Sequence, residues 1–414
     1  MLLPLRGAAA ARVFSCFAAG YLLSYALRAV NAVIAPALVA EIGLSNADLG
    51  LLSSAFFISV GCMQLPLGIW LDKYGSRRTE AALLVCAAGG AALFATSTTL
   101  AGLWIGRALI GVGVSPCLIS AFKAFRQWFS IEQQSQLASW MLVAGTAGAL
   151  SATVPVTWAL PLIGWRGIFW VVGALLLVVA AGVHWWLRDV EREYEAGHAH
   201  AHAMRGDDGG YRRIFGSAYF RRMGMLGLVN HGIFFALQTL WAGPWMSTVL
   251  GKSQDQTSQI LFVFNLVLML SYLALGWAAP RLVARGWDAH RIIGIGVGGM
   301  ALAQLAMLAS SAGAAWTLWL LLALCVPVTT LVQSHVGMAF PAALAGRANS
   351  AYNLLLFVGA FITQWGFGVL ADLFKAHGLG PADAFRATLA ILLVPQAGAL
   401  VYFLLRPHRP DGLH

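Results

Sequence analysis

The sequence predicts an all-α membrane protein with twelve transmembrane helices in two pseudo-symmetric halves of six, and three observations support this fold class. Hydrophobic residues make up 59% of the 414 residues and charged residues only 10%, whereas a soluble domain carries about 25% charged residues. The hydrophobic residues form runs of about 20 residues, the length of a helix that spans a bilayer. One long polar stretch, residues 188–222, separates six of these runs from the other six.

Each predicted segment is an apolar run that ends in polar or glycine-containing sequence. The first run is too long for a signal peptide, so we expect it to remain as a helix. The segments are, in chain order, 13–38, 47–71, 79–99, 101–124, 136–160, 166–187, 223–249, 258–280, 291–311, 314–337, 346–371 and 384–405. They predict an N-terminal bundle over 1–187, a cytoplasmic linker over 188–222, and a C-terminal bundle with a short cytoplasmic tail over 223–414.

The positions of Lys and Arg predict the orientation. Most of the 26 basic residues lie in loops and tails that face the cytoplasm if both termini are inside, as the positive-inside rule requires. The loops on the other side carry only Arg166, Lys252, Lys375 and Arg386. We therefore predict a multi-pass protein of the cytoplasmic (inner) membrane with both termini in the cytoplasm. The net charge of +10 then reflects topology, and no nucleic-acid partner is expected because no basic stripe is interleaved with aromatics.

The turn after the second segment carries the motif GIWLDKYGSRR. Glycine at its start would allow close helix approach, glycine in its middle would allow a tight turn, and its basic residues would hold the turn in the cytoplasm. A generic positively charged turn is the alternative. The positions concerned are Gly68, Asp72, Lys73, Gly75, Arg77 and Arg78.

This motif resembles the loop 2–3 signature of the major facilitator superfamily. The resemblance extends to Arg107 and Gly111 in the fourth segment and to Gly164-Trp165-Arg166 before the sixth. It implies two six-helix halves that alternate access to a central cavity, and a loop that latches them in the outward-open state. The first segment is similar to the anion-transporting branches, which include organophosphate:phosphate antiporters and anion:cation symporters.

Arg28 lies deep in the first segment, where a charge costs at least ~2.5–3.5 kcal/mol. Helical spacing places Tyr21, Tyr25, Arg28 and Asn31 on one face. The planar guanidinium binds carboxylate and phosphate groups through two parallel hydrogen bonds. We expect this face to bind an anionic substrate. The alternative is a structural arginine that is satisfied by backbone carbonyls or by a partner side chain.

The positions of the acidic residues support the interpretation that Arg28 binds an anion. All sixteen Asp and Glu residues are expected in loops, in tails or at helix ends, so Arg28 has no expected carboxylate partner within the membrane, and an unpaired buried charge is costly. The same expectation disfavours efflux of cationic drugs, which usually needs an intramembrane carboxylate. The fifth segment also lacks the Gly-Pro motif of drug:proton antiporters, since it reads AGTAGALSATVP.

The seventh segment offers a second polar face with His231, Gln238 and Trp241. His231 titrates near neutral pH and is the candidate for proton coupling, whereas a satisfied structural histidine and ordinary aromatic packing are the alternatives. The resemblance implies proton transfer by Arg107, for which a structural ion-pairing role is equally open. Further candidates for substrate contact are Gln333, Asn349 and Asn353.

These features predict a monomeric secondary transporter that moves a small organic anion by alternating access, coupled to protons in symport, and not an enzyme. Proton-driven efflux of drugs or metabolites is the main alternative, and a transporter-like receptor is a further one. The chain has no Walker A pattern, and we expect no cofactor and no metal site. The run His198, His200 and His202 is expected to bind metal only fortuitously.

Overall fold

The computed structural model describes residues 5, 7–197, 209–310 and 315–405, and these ranges are helical with short connections. His198, His200 and His202 lie outside them. The helices are α1 (Gly7–Ala29), α2 (Asn31–Ile42), α3 (Asn46–Thr96), α4 (Leu100–Val114), α5 (Cys117–Trp128), α6 (Ile131–Ser151), α7 (Val154–Trp186), α8 (Arg188–Gly197), α9 (Gly209–Gly216), α10 (Ala218–Leu226), α11 (Gly232–Ala236), α12 (Ala242–Thr248), α13 (Gln254–Ala284), α14 (Ala289–Ala309), α15 (Thr317–Cys325), α16 (Thr329–Met338), α17 (Ala342–Ala376) and α18 (Pro381–Leu405).

Ten helical stretches within the described ranges are long and apolar enough to cross a membrane. Two long helices each contain a turn at a glycine with positive φ, Gly75 (79°) in α3 and Gly164 (65°) in α7. Each of the twelve predicted segments overlaps a described helix, and the all-α membrane class is confirmed. The predicted linker, residues 188–222, contains α8, α9 and the start of α10.

The chain forms two compact units. Unit 1 comprises Met1–Val30 and Cys62–Gly206, and unit 2 comprises Asn31–Gly61 and Asp207–His414. The end of the first segment and the start of the second therefore pack with the C-terminal helices. The predicted division into two bundles follows the order of the segments along the chain, and it stays a prediction.

Several helix starts follow from local side-chain chemistry. Ser130 and Gln133 form a capping box at the start of α6, and Ser253 and Gln256 form another at the start of α13. In a capping box the serine accepts from a backbone N–H and the glutamine side chain accepts from the serine N–H, so two otherwise unpaired donors are satisfied. These helix boundaries are thus set locally.

The first segment breaks at Val30 into α1 and α2. Pro36 in α2 has no N–H and cannot donate to the carbonyl of Ala32 four residues earlier. In unit 2, Gly243 of α12 approaches this same carbonyl so closely that a Cβ there would lie 2.0 Å from the Ala32 oxygen. Only glycine fits this contact, which holds α2 against α12.

Asp372 near the end of α17 binds the start of α3 within unit 2. Its carboxylate accepts from the backbone N–H of Ala47 at 2.7 Å and from the Asn46 side chain at 2.6 Å. A carboxylate is stabilising at a helix N-terminus, where N–H groups lack partners. Gly368 lies one turn earlier, and a Cβ there would lie 2.1 Å from the carbonyl oxygen of Asn46. The α3–α17 contact is therefore held by backbone approach and by one acidic side chain.

We predict that Asp372→Ala lowers the free energy of unfolding by about 2 kcal/mol, because two charge-assisted hydrogen bonds are lost. Thermal unfolding of the purified protein in detergent measures the effect. The control is Asp383→Ala, which removes an exposed pair with Arg386 and should cost under about 0.5 kcal/mol. Equal losses in both variants would contradict the role given to Asp372.

Candidate functional site

In unit 1 the structure brings Tyr21, Tyr25 and Arg28 together on one face of α1. The Arg28 guanidinium carbon lies 4.4 Å from the centre of the Tyr25 ring, and the Tyr25 and Tyr21 rings meet edge to face at 4.9 Å. Gly145 of α6 makes room for both rings, because a Cβ there would lie 2.6 Å from Tyr21. Arg28 itself is half-buried. Stacking on Tyr25 orients the plane of the guanidinium.

Asn31 lies beyond the break and belongs to unit 2. Its side-chain amide donates to the Ser53 hydroxyl of α3 at 2.6 Å, and the side chain is 1% exposed. Helical spacing places Asn31 beside Arg28 only if the helix is continuous, but α1 ends before Asn31. Its membership of the Arg28 face therefore stays a prediction.

Arg107 is 1% exposed and supports the end of α1. Its Nη1 donates to the carbonyl oxygen of Leu27 at 2.9 Å, and its guanidinium carbon lies 5.6 Å from the Phe94 ring centre and 5.8 Å from that of Phe169. In a bilayer, a break in a helix leaves carbonyls that only another protein group can satisfy. This geometry favours the structural alternative for Arg107, and it places that role next to Arg28.

Glu80 was missed by the sequence analysis. The sequence places every acidic residue in a loop, in a tail or at a helix end, and Glu80 lies at the start of the predicted segment 79–99. What the sequence does not indicate is that Glu80 is 0% exposed. Its carboxylate contacts the Ser120 hydroxyl of α5, and a Cβ at Gly20 of α1 would lie 2.8 Å from its Oε1. The available signal was the apolar sequence that begins at Glu80, EAALLVCAAGGAALF, which places this residue inside the helix and not in the turn.

The His231 side chain makes a contact between the seventh and tenth segments within unit 2. Its Nδ1 lies 3.1 Å from the Thr329 hydroxyl, which itself donates to the carbonyl of Val326 at 2.8 Å. Because the hydroxyl hydrogen is used, Thr329 accepts from His231, and Nδ1 carries a proton. The ring meets Phe235 edge to face at 4.5 Å and is 8% exposed. The satisfied structural histidine therefore fits the geometry, and proton coupling stays a prediction.

Two π-helical stretches, Gly227–His231 and Leu237–Trp241, interrupt the seventh segment. Such stretches add a residue to a turn and are frequent at functional sites. They rotate the side chains that follow, so the regular helical stripe predicted for this segment is not preserved.

Gln238 and Trp241 have different surroundings. Gln238 donates to the Asn265 side chain at 3.0 Å in a buried contact between α13 and the seventh segment. Trp241 is 0% exposed, stacks on Phe367 at 4.6 Å, and donates its indole N–H to the carbonyl of Gln364 at 3.1 Å. In this conformation Trp241 packs inside unit 2, which fits the packing alternative, and substrate contact by Trp241 stays a prediction.

The remaining candidates lie where α16 meets α17. Gln333 donates to the Asn353 side chain at 3.1 Å. Asn349 is half-buried against Gly337, where a Cβ would lie 2.8 Å from its side-chain nitrogen. Gln333 and Asn353 thus form a polar contact between two helices of unit 2. Asn349 packs between the same two helices, and substrate binding by these three side chains stays a prediction.

The predicted latch forms two ion pairs within unit 1. Arg77 pairs with Glu191 of α8 at 2.5 Å, and its Nη1 donates to the carbonyl of His184 at 2.9 Å. Asp72 pairs with Lys123 of α5 at 2.6 Å. Gly75 adopts a positive φ and faces Glu191, so that a Cβ there would lie 2.6 Å from Oε1. The turn is therefore fastened to α5 and α8.

The other latch positions make fewer contacts. The Lys73 ammonium lies 5.1 Å from the Tyr74 ring centre, and Arg78 is exposed. A Cβ at Gly68 would meet no atom within 4 Å. A close helix approach at Gly68 is not seen among the described residues, and it stays a prediction.

The match to a known family covers most of the molecule. Residues 17–364 match the Major Facilitator Superfamily. The chain belongs to the major facilitator superfamily. It is a multi-pass membrane protein of this superfamily.

Individual relatives and solved structures have low sequence identity to this chain. The hexuronate transporter of Escherichia coli (strain K12) is 28% identical over 165 residues, which are 39% of this chain and 37% of that protein. This chain thus spans well under half of that relative. The probable L-galactonate transporter of the same strain is 25% identical over 88% of this chain and 82% of its own length. The crystal structure of a bacterial homologue of the human lysosomal transporter Spinster, in an inward-facing and unoccupied conformation, has a TM-score of 0.80 at 15% identity, covering 97% of both chains. That likeness confirms the fold.

We predict that Arg107→Met lowers the free energy of unfolding by about 1–3 kcal/mol, because the buried Leu27 carbonyl loses its donor. Unfolding of the purified protein in detergent measures this loss. Arg166→Met is the matched control, since Arg166 also stacks on an aromatic ring, that of Trp165, and donates to a carbonyl, but it is less buried. A loss of stability in the control as large as that in Arg107→Met would contradict the support assigned to Arg107.

We predict that Arg77→Ala lowers the free energy of unfolding by about 3 kcal/mol, because it leaves the buried Glu191 carboxylate without its partner. The double variant Arg77→Ala/Glu191→Ala should lose less than the sum of the two single variants. A double-mutant cycle measures the coupling between the two side chains. Additive losses would show that the pair contributes nothing to the latch.

Proposed function

We propose that this transporter moves a small organic anion of the carboxylate type by alternating access, with a proton as the coupling ion. The observation that carries the proposal is Arg28, a half-buried arginine in the first segment whose guanidinium stacks on Tyr25. An ionisable residue within a membrane segment marks a substrate or ion pathway by default. Arginine keeps its charge at all physiological pH values and presents a planar fork to carboxylates.

The named substrates of two relatives support the substrate class. Hexuronates and L-galactonate, the substrates in the names of the two Escherichia coli proteins, are sugar acids that each carry one carboxylate and several hydroxyl groups. A guanidinium beside two tyrosines offers a partner for the carboxylate and hydroxyl groups for the sugar oxygens. We therefore place sugar acids first among the candidate substrates.

The proposal also specifies the coupling residue and the membrane in which the protein lies. His231 is the proton-coupling candidate that the sequence offers, and the distribution of basic residues favours the cytoplasmic membrane with both termini inside. We propose uptake by symport in a monomeric protein.

Efflux of drugs or metabolites remains the second candidate, and Glu80 is the observation that favours it. Efflux of cationic drugs usually needs an intramembrane carboxylate. Glu80 is a fully buried carboxylate in the third segment. The two candidates differ in the charge of the ligand that stabilises the protein.

We expect D-glucuronate and L-galactonate to raise the midpoint temperature of thermal unfolding of the purified wild type, and Arg28→Ala to abolish this rise. Loss of the bidentate charge-assisted contact should weaken binding by at least about tenfold. Arg28→Lys is the matched control, since it keeps the charge but not the fork, and it should restore the rise only in part. D-glucose and tetraphenylphosphonium test neutral and cationic ligands.

Stabilisation by tetraphenylphosphonium alone, equal in wild type and Arg28→Ala, would favour efflux and overturn the anion proposal.

The direction of transport is tested in proteoliposomes with an imposed pH gradient. Accumulation of radiolabelled D-glucuronate on the alkaline side supports symport. Binding without any turnover would instead indicate a receptor.

A further inference from the structure

Glu80 is a buried acid that the proposed anion site does not use. It lies in α3, five residues after the turn at Gly75, and α1 and α5 pack against it. Within the described residues Glu80 makes no ion pair, and its Oε1 has no hydrogen-bond partner. An ionised carboxylate in such surroundings costs several kcal/mol, and the neutral acid avoids this cost.

The hydrogen bonds of Ser120 distinguish the two forms of Glu80. The Ser120 hydroxyl contacts the Glu80 Oε2 and lies 2.9 Å from the carbonyl oxygen of Pro116. A serine hydroxyl has one hydrogen to donate, and donation to the carbonyl four residues earlier is a common helical pattern. When Ser120 donates to Pro116, it can only accept from Glu80, and the Glu80 Oε2 must then carry the proton.

Loss of that proton changes the hydrogen bonding at the break between α4 and α5. The ionised carboxylate has no hydrogen to donate, so the Ser120 hydroxyl must turn from Pro116 to Glu80. Pro116 precedes α5 directly, where the fourth segment is interrupted. The protonation state of Glu80 is therefore linked to the backbone of a membrane helix.

Two cysteines lie near Glu80, and both are uncharged as thiols. The titratable side chains that face it are Cys16 from α1 and Cys117 from α5, both buried. The Glu80 carboxylate lies against Gly20, and Gly20 and Arg28 belong to the same helix, α1. Eight residues of helix correspond to about 12 Å, so the acid and the candidate anion site lie along one helix of unit 1.

We propose that Glu80 binds the proton that is transported with the anion at Arg28. Glu80 is the neutral acid while the anion is bound, because a second negative charge nearby would oppose binding. After the anion leaves, the O–H bond at Oε2 breaks, the proton passes to water, and the Ser120 hydrogen turns to the carboxylate. This inference rests on the proposed function, which it deepens by naming the coupling residue.

Infrared difference spectroscopy tests the proton on Glu80 in protein saturated with D-glucuronate, which is the state in which the proposal keeps the acid neutral. The wild type should show the carbonyl stretch of a protonated carboxylic acid, and this band should vanish in Glu80→Gln. Asp383→Asn, which changes an exposed carboxylate, should leave the band in place. Should Glu80→Gln fail to fold, Ser120→Ala replaces it and must shift the band, because a hydrogen bond to the acid is removed. A band unchanged in either Glu80→Gln or Ser120→Ala overturns the proposal.

Transport of D-glucuronate in proteoliposomes tests the coupling. Glu80→Gln should keep exchange of internal for external D-glucuronate but lose accumulation driven by a pH gradient. Asp383→Asn, which changes an exposed carboxylate outside the proposed site, should keep gradient-driven accumulation. If Glu80→Gln accumulates the anion like the wild type, the Glu80 proposal fails and the proposed function stands. If the wild type itself transports neither D-glucuronate nor L-galactonate, the proposed function fails and the coupling role falls with it.

Discussion

A broken helix inside a bilayer must find partners for the backbone groups that the break releases, and much of this structure depends on how it does so. At the end of α1 a buried arginine, Arg107, supplies the donor to the Leu27 carbonyl. Beyond the break, Gly243 brings another backbone against Ala32. In the tenth segment the hydroxyl of Thr329 binds the carbonyl of Val326 and also contacts His231. Breaks and polar side chains thus occur together, and each break positions a candidate functional residue.

The fold could be predicted from the sequence because hydrophobicity along the chain determines where helices cross a bilayer. The grouping of Tyr21, Tyr25 and Arg28 could also be predicted, since these residues share one unbroken helix and their spacing is local. The break after Arg28 lay beyond such reasoning, because Pro36 alone does not specify where a helix ends. It now divides the predicted face between the two compact units.

The surroundings of Glu80 and Trp241 could not be predicted because they depend on contacts between helices. Glu80 lies at the start of the predicted segment 79–99, but only the packing of α1 at Gly20 shows that its carboxylate is covered. Trp241 lies beyond a π-helical stretch that changes the rotation of the seventh segment. Helical spacing read from the sequence assumes an unbroken α-helix, and it loses its meaning after each such stretch.

The contact between Arg77 and Glu191 has a consequence for the polar part of the chain. It fastens α8, which is covalently part of the linker, to the turn in the middle of α3. A displacement of α8 would therefore also move the turn in the middle of α3, because the buried ion pair joins the two. The polar stretch after the sixth segment is in this way mechanically coupled to the second and third segments.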